Sequence, residues 1–246
     1  MIELPLKFKL YPQYKYHTHS SSLYRESLIA DASGALYWPS ENLLVISDMH
    51  LEKGSSSAAK GMFLPPYDTR DTLLRLANVI KSYKAKTIVS LGDSFHDKLA
   101  FNRIRREDLE FLHLIQDGRR WIWINGNHDP EIPSKVGGEC FDELQINGLI
   151  LRHKPSSKKS IYEIAGHMHP SAKISLYGKN IRRPCFIFNR KRLIMPAFGS
   201  YTGGLNILDS AFVPLFRDDK FCVWMQGDKD IYPIDINKLQ KDRTPV

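Results

Sequence analysis

The sequence predicts an α/β fold, a sandwich of two packed mixed sheets flanked by helices. Three observations carry this reading. First, the apolar runs "NLLVIS" (42–47), "TIVSL" (87–91) and "RWIWI" (120–124) stop at polar turn residues and are separated by helix-like stretches. That alternation is what βαβ units produce. Second, from residue 149 onward the chain turns to short strand-like runs with short connectors, as in a mainly antiparallel second sheet. Third, no linker-like stretch separates the two halves. Residues 1–246 are therefore read as one domain, with a motif core at 42–208 and a C-terminal strand and tail at 209–246.

In chain order, "GALYW" (34–38) is expected to supply an edge strand. The strand at 42–47 stops at Asp48, and a loop is expected through Gly54 and Gly61 to Pro65 and Pro66, with the patch "SSSAAK" (55–60) inside it. "DTRDTLLRLANVIKSY" (68–83) places Leu73, Leu76, Ala77 and Ile80 on one helical face, with Asp68 as its cap. The strand at 87–91 stops at Gly92-Asp93. A second helix is expected over "REDLEFLHLIQD" (106–117), ending near Gly118, and the strand at 120–124 stops at Asn125. Then follow "LILRH" (149–153), "YEIAGH" (162–167), "AKISLY" (172–177), "CFIFN" (185–189), "RLIM" (192–195) and "FCVWM" (221–225).

Composition narrows the class. With 42% hydrophobic and 25% charged residues, the chain reads as soluble and globular. No apolar run approaches the roughly 20 residues that span a bilayer. The first twenty residues lack an apolar signal core and a small-residue cleavage site. Cys140, Cys185 and Cys222 are scattered, with no CxxC pair, which argues against a disulfide framework or a zinc-thiolate site. A cytoplasmic setting without membrane contact is expected. The net charge of +8 fits either a solvated basic surface or a polyanionic partner.

The chemistry gathers at strand ends. Asp48 and His50 follow the first strand, Asp93 and His96 the second, and Asn127, His128 and Asp129 the third. His153, His167 and His169 end later strands. In an open α/β sheet, ligands bind beyond the carboxyl ends of the strands, so all of these groups can face one pocket. They are carboxylate, amide and imidazole, with no thiolate, a set suited to Mn²⁺, Fe²⁺ or Zn²⁺. They are too many for one ion with open positions. Two ions share them if one carboxylate bridges, and such a pair clamps phosphate esters and acidifies an attacking water. Each motif alone is commonplace, since DxH and GD often only shape a turn. Their joint occurrence, each after a strand, is what points to a metal centre.

The order D-x-H, G-D, G-N-H-D, H, G-H-x-H over residues 48–169 resembles the calcineurin-like metallophosphoesterase superfamily, and so implies a metallophosphoesterase-type sandwich. The resemblance implies that Asp48, His50 and His169 hold a first metal, that Asp93 bridges, and that Asn127, His153 and His167 hold a second. It implies that His128 touches the phosphate and protonates the leaving oxygen, with Asp129 orienting its ring. Within the superfamily, "SDMHLEKGSSSAAKGMFLPPYDTRDTLLRL", "LGDSFHD" and "MPAFGSYTGGLN" are similar to the bacterial DNA ligase-associated metallophosphoesterases. That similarity implies a DNA endonuclease or phosphodiesterase, typically supported by Mn²⁺, working in repair beside a DNA ligase, a helicase and a nuclease. The substrate expected is single-stranded or structured DNA. Phe95-His96 resembles the recombination nucleases of the superfamily, where a second histidine handles DNA; a purely structural His96 is the equal alternative. Two other readings stay open, a phosphodiesterase of small nucleotides and a catalytically silent scaffold. Basic stretches at 170–195 and among Arg103, Arg105, Arg106, Arg119 and Arg120 are either phosphate contacts or solvated surface. His17, His19 and His113 have no motif context.

Overall fold

The computed structural model describes residues 8–9, 27–62, 64–158, 161–216 and 220–242; His17 and His19 lie outside them. Its first seven strands form one sheet: β1 (Phe8–Lys9), β2 (Ser27–Ala30), β3 (Leu36–Trp38), β4 (Leu43–Ile46), β5 (Thr87–Ser90), β6 (Arg120–Ile124) and β7 (Glu139–Phe141), in that spatial order. β1 to β4 run antiparallel, whereas β4, β5, β6 and β7 are mutually parallel. Between them lie α1 (Lys53–Ala59), α2 (Asp68–Tyr83), α3 (Ala100–Arg103) and α4 (Arg106–Gln116). The second sheet holds β8 (Glu143–Ile146), β9 (Leu149–Arg152), β10 (Glu163–Ala165), β11 (Pro170–Leu176), β12 (Lys179–Phe188), β13 (Arg192–Ile194) and β14 (Leu205–Asn206). Its order is β14-β11-β12-β13-β10-β9-β8. After α5 (Val213–Phe216), β15 (Cys222–Gln226) pairs with β12, and β16 (Ile231–Ile234) pairs with β15.

The strand period of two divides the first sheet's residues between two cores. From β4, Leu44 and Ile46 face α2 and α4, where they meet Leu73, Leu76, Ile80, Leu112 and Ile115. Leu43 and Val45 face the second sheet and pack with Val89, Ile122, Leu151, Ile164 and Phe186. Each such aliphatic side chain, fully buried, contributes about 1.5–3 kcal/mol. A third cluster covers the far side of the second sheet, with Ala172, Ile187, Ile194 and Val223 under Phe212 and Phe216.

Several expectations need correction. The first forty residues do supply one edge of the first sheet, but "GALYW" lies inside it, because β3 is flanked by both β2 and β4. The stretch read as a loop folds into α1. Asp68 does not cap α2: it is the first helical residue, and its buried carboxylate accepts from Gly54 N at 3.0 Å. The second sheet is mixed and mainly antiparallel, as expected, with the β13-β10-β9 and β11-β14 pairs parallel. The C-terminal region carries two strands and a short helix rather than one strand.

Candidate metal centre

The parallel strands set the site. β4 runs directly into Ser47, Asp48 and His50, β5 into Asp93, and β6 into Asn127 and His128. On the facing sheet, β9 ends before His153, and the turn from β10 to β11 carries His167 and His169. Asp48, His50, Asp93, His167 and His169 all stand at positive φ, between 43° and 69°. Non-glycine residues rarely adopt this conformation, and each instance costs on the order of 1 kcal/mol. Its repetition at five ligand-type residues turns their side chains toward one point.

Two glycines let the backbones close in. A Cβ on Gly126 would lie 2.2 Å from Asp93 N and 2.3 Å from Asp93 Oδ1. One on Gly166 would lie 1.9 Å from Ser47 Oγ and 2.6 Å from Asp48 Oδ2. These are the glycines of GNHD and GHMH, and their role is contact between loops. Amides then fix the carboxylates. His128 N donates to Asp93 Oδ1 at 2.9 Å, and His167 N to Asp48 Oδ2 at 3.0 Å. Ser47 Oγ also donates to Asp48 Oδ2.

The free lone pairs converge. His50 Nε2 and His169 Nε2 are 3.3 Å apart, with Asp48 Oδ1 3.1 Å from His169 Nε2. His153 Nε2 and His167 Nδ1 are 3.1 Å apart, with Asn127 Oδ1 2.9 Å and Asp93 Oδ2 3.4 Å from His153 Nε2. Asp93 Oδ2 also lies 3.8 Å from His50 Nε2 and 3.9 Å from His128 Nε2, between the two groups. His153 Nδ1 donates to Leu91 O and His128 Nδ1 to His96 O, so each ring presents Nε2 to the pocket.

The donors fit a pair of divalent cations. Two imidazole nitrogens, each about 2.0–2.1 Å from one ion, stand about 2.8–3.4 Å apart between octahedral and tetrahedral geometry. Both observed imidazole pairs fall in that range. Asp48 Oδ1 is buried without a hydrogen-bond partner, as a cation ligand would be. Asp48, His50 and His169 form one cation-sized group, and Asp93, His153 and His167 another.

Electrostatics follow. Burial, only partly offset by Asp48, lowers His50 to about 3, so its ring stays neutral and able to donate a lone pair. Burial would raise Asp93, but the neighbouring His153 imidazole overrides it and brings the carboxyl down to about 2. Asp48 is likewise held low against its burial by His169. Burial disfavours charge on His153 and His169, yet the facing carboxylates raise both. His96 and His167 are lowered by burial.

Asp129 departs from expectation. Its Oδ2 accepts from Ser94 N at 2.7 Å and Phe95 N at 3.0 Å, and the His128 ring is oriented instead by the His96 carbonyl. The physical reason is burial: a carboxylate enclosed at this depth takes backbone N–H partners, while His128 projects into solvent. Burial raises Asp129 to about 7. The His96 ring stacks on that of His128 at 5.7 Å, so it belongs to the pocket. His113, on α4, does not; it meets Lys135 O.

Sequence reading assigned no role to Ser47, Arg75 or the loop 196–204, although all lie in stretches that carry the family resemblance. Phe198 N and Gly199 N donate to Ser47 O and Asp48 O, and Arg75 holds that loop by donating to Phe198 O. The residue types carried no signal, because the role arises from a contact between α2 and a distant loop. The basic stretches are mostly paired within the protein: Arg182 with Asp242, Arg183 with Asp228, Arg120 with Glu139, Arg106 with Glu110, and Arg103 with Asp97. Arg119 donates to Ile115 O and Asp117 O.

A family model described as calcineurin-like phosphoesterase matches residues 42–194, more than half of the chain. Among solved structures, the Pseudomonas putida nuclease MPE superposes with a TM-score of 0.65 at 23% identity, over 85% of this chain and 95% of that one. Yfce, a phosphoesterase from E. coli, gives 0.41 at 15% identity, over 79% and 99%. No curated protein matches the sequence. Among the described residues no helix is long and apolar enough to cross a membrane.

Proposed function

This chain belongs to the calcineurin-like phosphoesterase family, and from that premise we propose that it is a metal-dependent nuclease hydrolysing the phosphodiester bonds of DNA. The observation that carries the chemistry is the double cage, with Asp93 Oδ2 between two ligand groups and His128 Nε2 at its mouth. Asp48, His50 and His169 would hold one divalent ion and Asn127, His153 and His167 the other, with Asp93 shared. When bound, such a pair neutralises charge on the phosphate and acidifies an attacking water.

The chain's own groups do the rest. His128, steadied through Nδ1 by the His96 carbonyl, presents Nε2 to the leaving oxygen and gives it a proton. Asp129 fixes the Ser94-Phe95 backbone and, through it, the bridging loop. His96, stacked on His128, adds a further donor beside the phosphate. The choice of DNA, single-stranded or structured, is supported by the net charge of +8 and by the resemblance of the motif stretches. Mn²⁺ is the proposed cation, and the oxygen and imidazole donors are compatible with it. We place the activity in DNA repair, beside a DNA ligase, a helicase and a nuclease. Three unpaired cysteines accord with a reducing cytoplasm.

The test is hydrolysis, with added Mn²⁺, of plasmid and single-stranded DNA beside a chromogenic phosphodiester. Cleavage of DNA supports the proposal. Turnover of the small ester alone rejects the nuclease and leaves a small-molecule phosphodiesterase. No turnover of either, together with no bound metal, would leave a scaffold.

A further inference from the structure

The connection between α1 and α2 is tied to the metal centre at both of its ends. At one end, Lys60 and Lys53 are close enough for their charges to disfavour a proton on His96. At the other, Pro65 O accepts from Tyr201 OH at 3.0 Å, and Gly203, two residues on, hydrogen-bonds the His169 ring. The start of α2 is tied in as well. Glu52 N, two residues past His50, donates to Thr69 Oγ1 at 2.9 Å, two residues past Tyr67. This rim therefore spans from the His96 side to the His169 side.

The rim carries apolar surface that the fold does not use. Tyr67 is 59% exposed, Met62 59% and Leu64 39%. Scattered exposed apolar residues are ordinary, but three within six positions, flanked by two lysines beside a phosphate-type site, form a patch with a chemistry. Cations paired with an aromatic platform are what single-stranded nucleic acid requires: phosphates meet lysines and unstacked bases meet π faces.

We propose that Lys60, Met62, Leu64 and Tyr67 form a base-binding ledge, with Lys53 and Lys60 on phosphates flanking the scissile one and Tyr67, with Met62 and Leu64, against unpaired nucleobases. The assignment rests on the reading of DNA as substrate, and it makes the enzyme select unpaired strands. A paired base in a duplex has its faces covered by neighbours and cannot lie on Tyr67. Lys53 and Lys60 are indifferent to sequence, and the ledge accepts any base.

The test compares binding of two fluorescent 12-nucleotide, phosphorothioate-linked strands that resist cleavage, oligodeoxythymidylate and its abasic counterpart, to the Mn²⁺-loaded protein. Tyr67→Ala is expected to weaken the thymidylate strand about tenfold and to leave the abasic strand unchanged, while Tyr67→Phe retains binding. Lys60→Ala is expected to weaken both strands. An unchanged thermal midpoint for Tyr67→Ala shows that the fold survives. Equal losses on both strands, or none on either, overturn the ledge. If natural DNA is not cleaved although the base-dependent difference is present, the nuclease reading fails and the ledge stands.

Discussion

The two sheets contribute unequally to the metal centre. The first supplies both carboxylates, Asp48 and Asp93, with Asn127, His128 and His50. The second supplies imidazoles alone: His153, His167 and His169. The two candidate ion groups that contain a carboxylate mix the sheets: His169 with Asp48 and His50, His153 and His167 with Asp93. The cage is thus an interface between sheets, and it forms only when the core of Val45, Val89 and Ile122 packs on Leu151 and Ile164. Anionic charge is concentrated on the half with the more regular parallel strands, and the other half closes over it with imidazole donors.

The sharpest way to probe this asymmetry is to remove a group that belongs to the first sheet but to neither ion. His128→Ala is expected to lower kcat about 10²–10⁴-fold with both ions retained, measured as turnover beside metal content. Loss of metal in this variant would make His128 a ligand. Next in size is Gly126→Ala, whose new Cβ would press on Asp93 N and Oδ1. Metal affinity should fall about 10–100-fold, as when groups supporting a ligand are disturbed; calorimetric titration with Mn²⁺ reads it. An unchanged affinity would mean that the bridging loop yields without moving Asp93.

How far the comparison was legible in the sequence follows the physics of each part. α2, α4 and β6 declare themselves by local periodicity, and their bounds fall within a residue of expectation. α1 does not, because "KGSSSAA" has no apolar face; a tertiary bond from Gly54 N to Asp68 fixes it, with a local one from Ser55 Oγ to Glu52. β7 is short and exposed throughout, and β8, although it alternates polar and apolar, has only four residues, too few to stand out. The site residues were legible because each ends a strand. The partner of Asp129 was not, since adjacency in sequence to His128 conceals that its carboxylate turns to the Ser94-Phe95 backbone.

Smaller effects test the support behind each half. Arg75 donates to Phe198 O and lies 4.5 Å over the Phe198 ring, bracing the loop behind Asp48. Arg75→Met should cost about 1–3 kcal/mol, a fall of several degrees in Tm for a chain of this size, with both ions still bound. Asp129 concerns pH. Its folded value of about 7 lies above the ordinary 3.8, so the fold favours its protonated form. In metal-free protein that contribution is full below the unfolded value and is lost as pH rises through about 7. Asp129→Asn should flatten this decline in urea midpoints measured between pH 4 and 8; parallel curves would deny that Asp129 titrates there.

Counting bound Mn²⁺ per chain, in the native protein and in Asp93→Ala, reaches the inter-sheet cage most directly. The account requires two ions in the native protein and the loss of at least one when the shared carboxylate is removed. A single ion, or two that survive in Asp93→Ala, would contradict it.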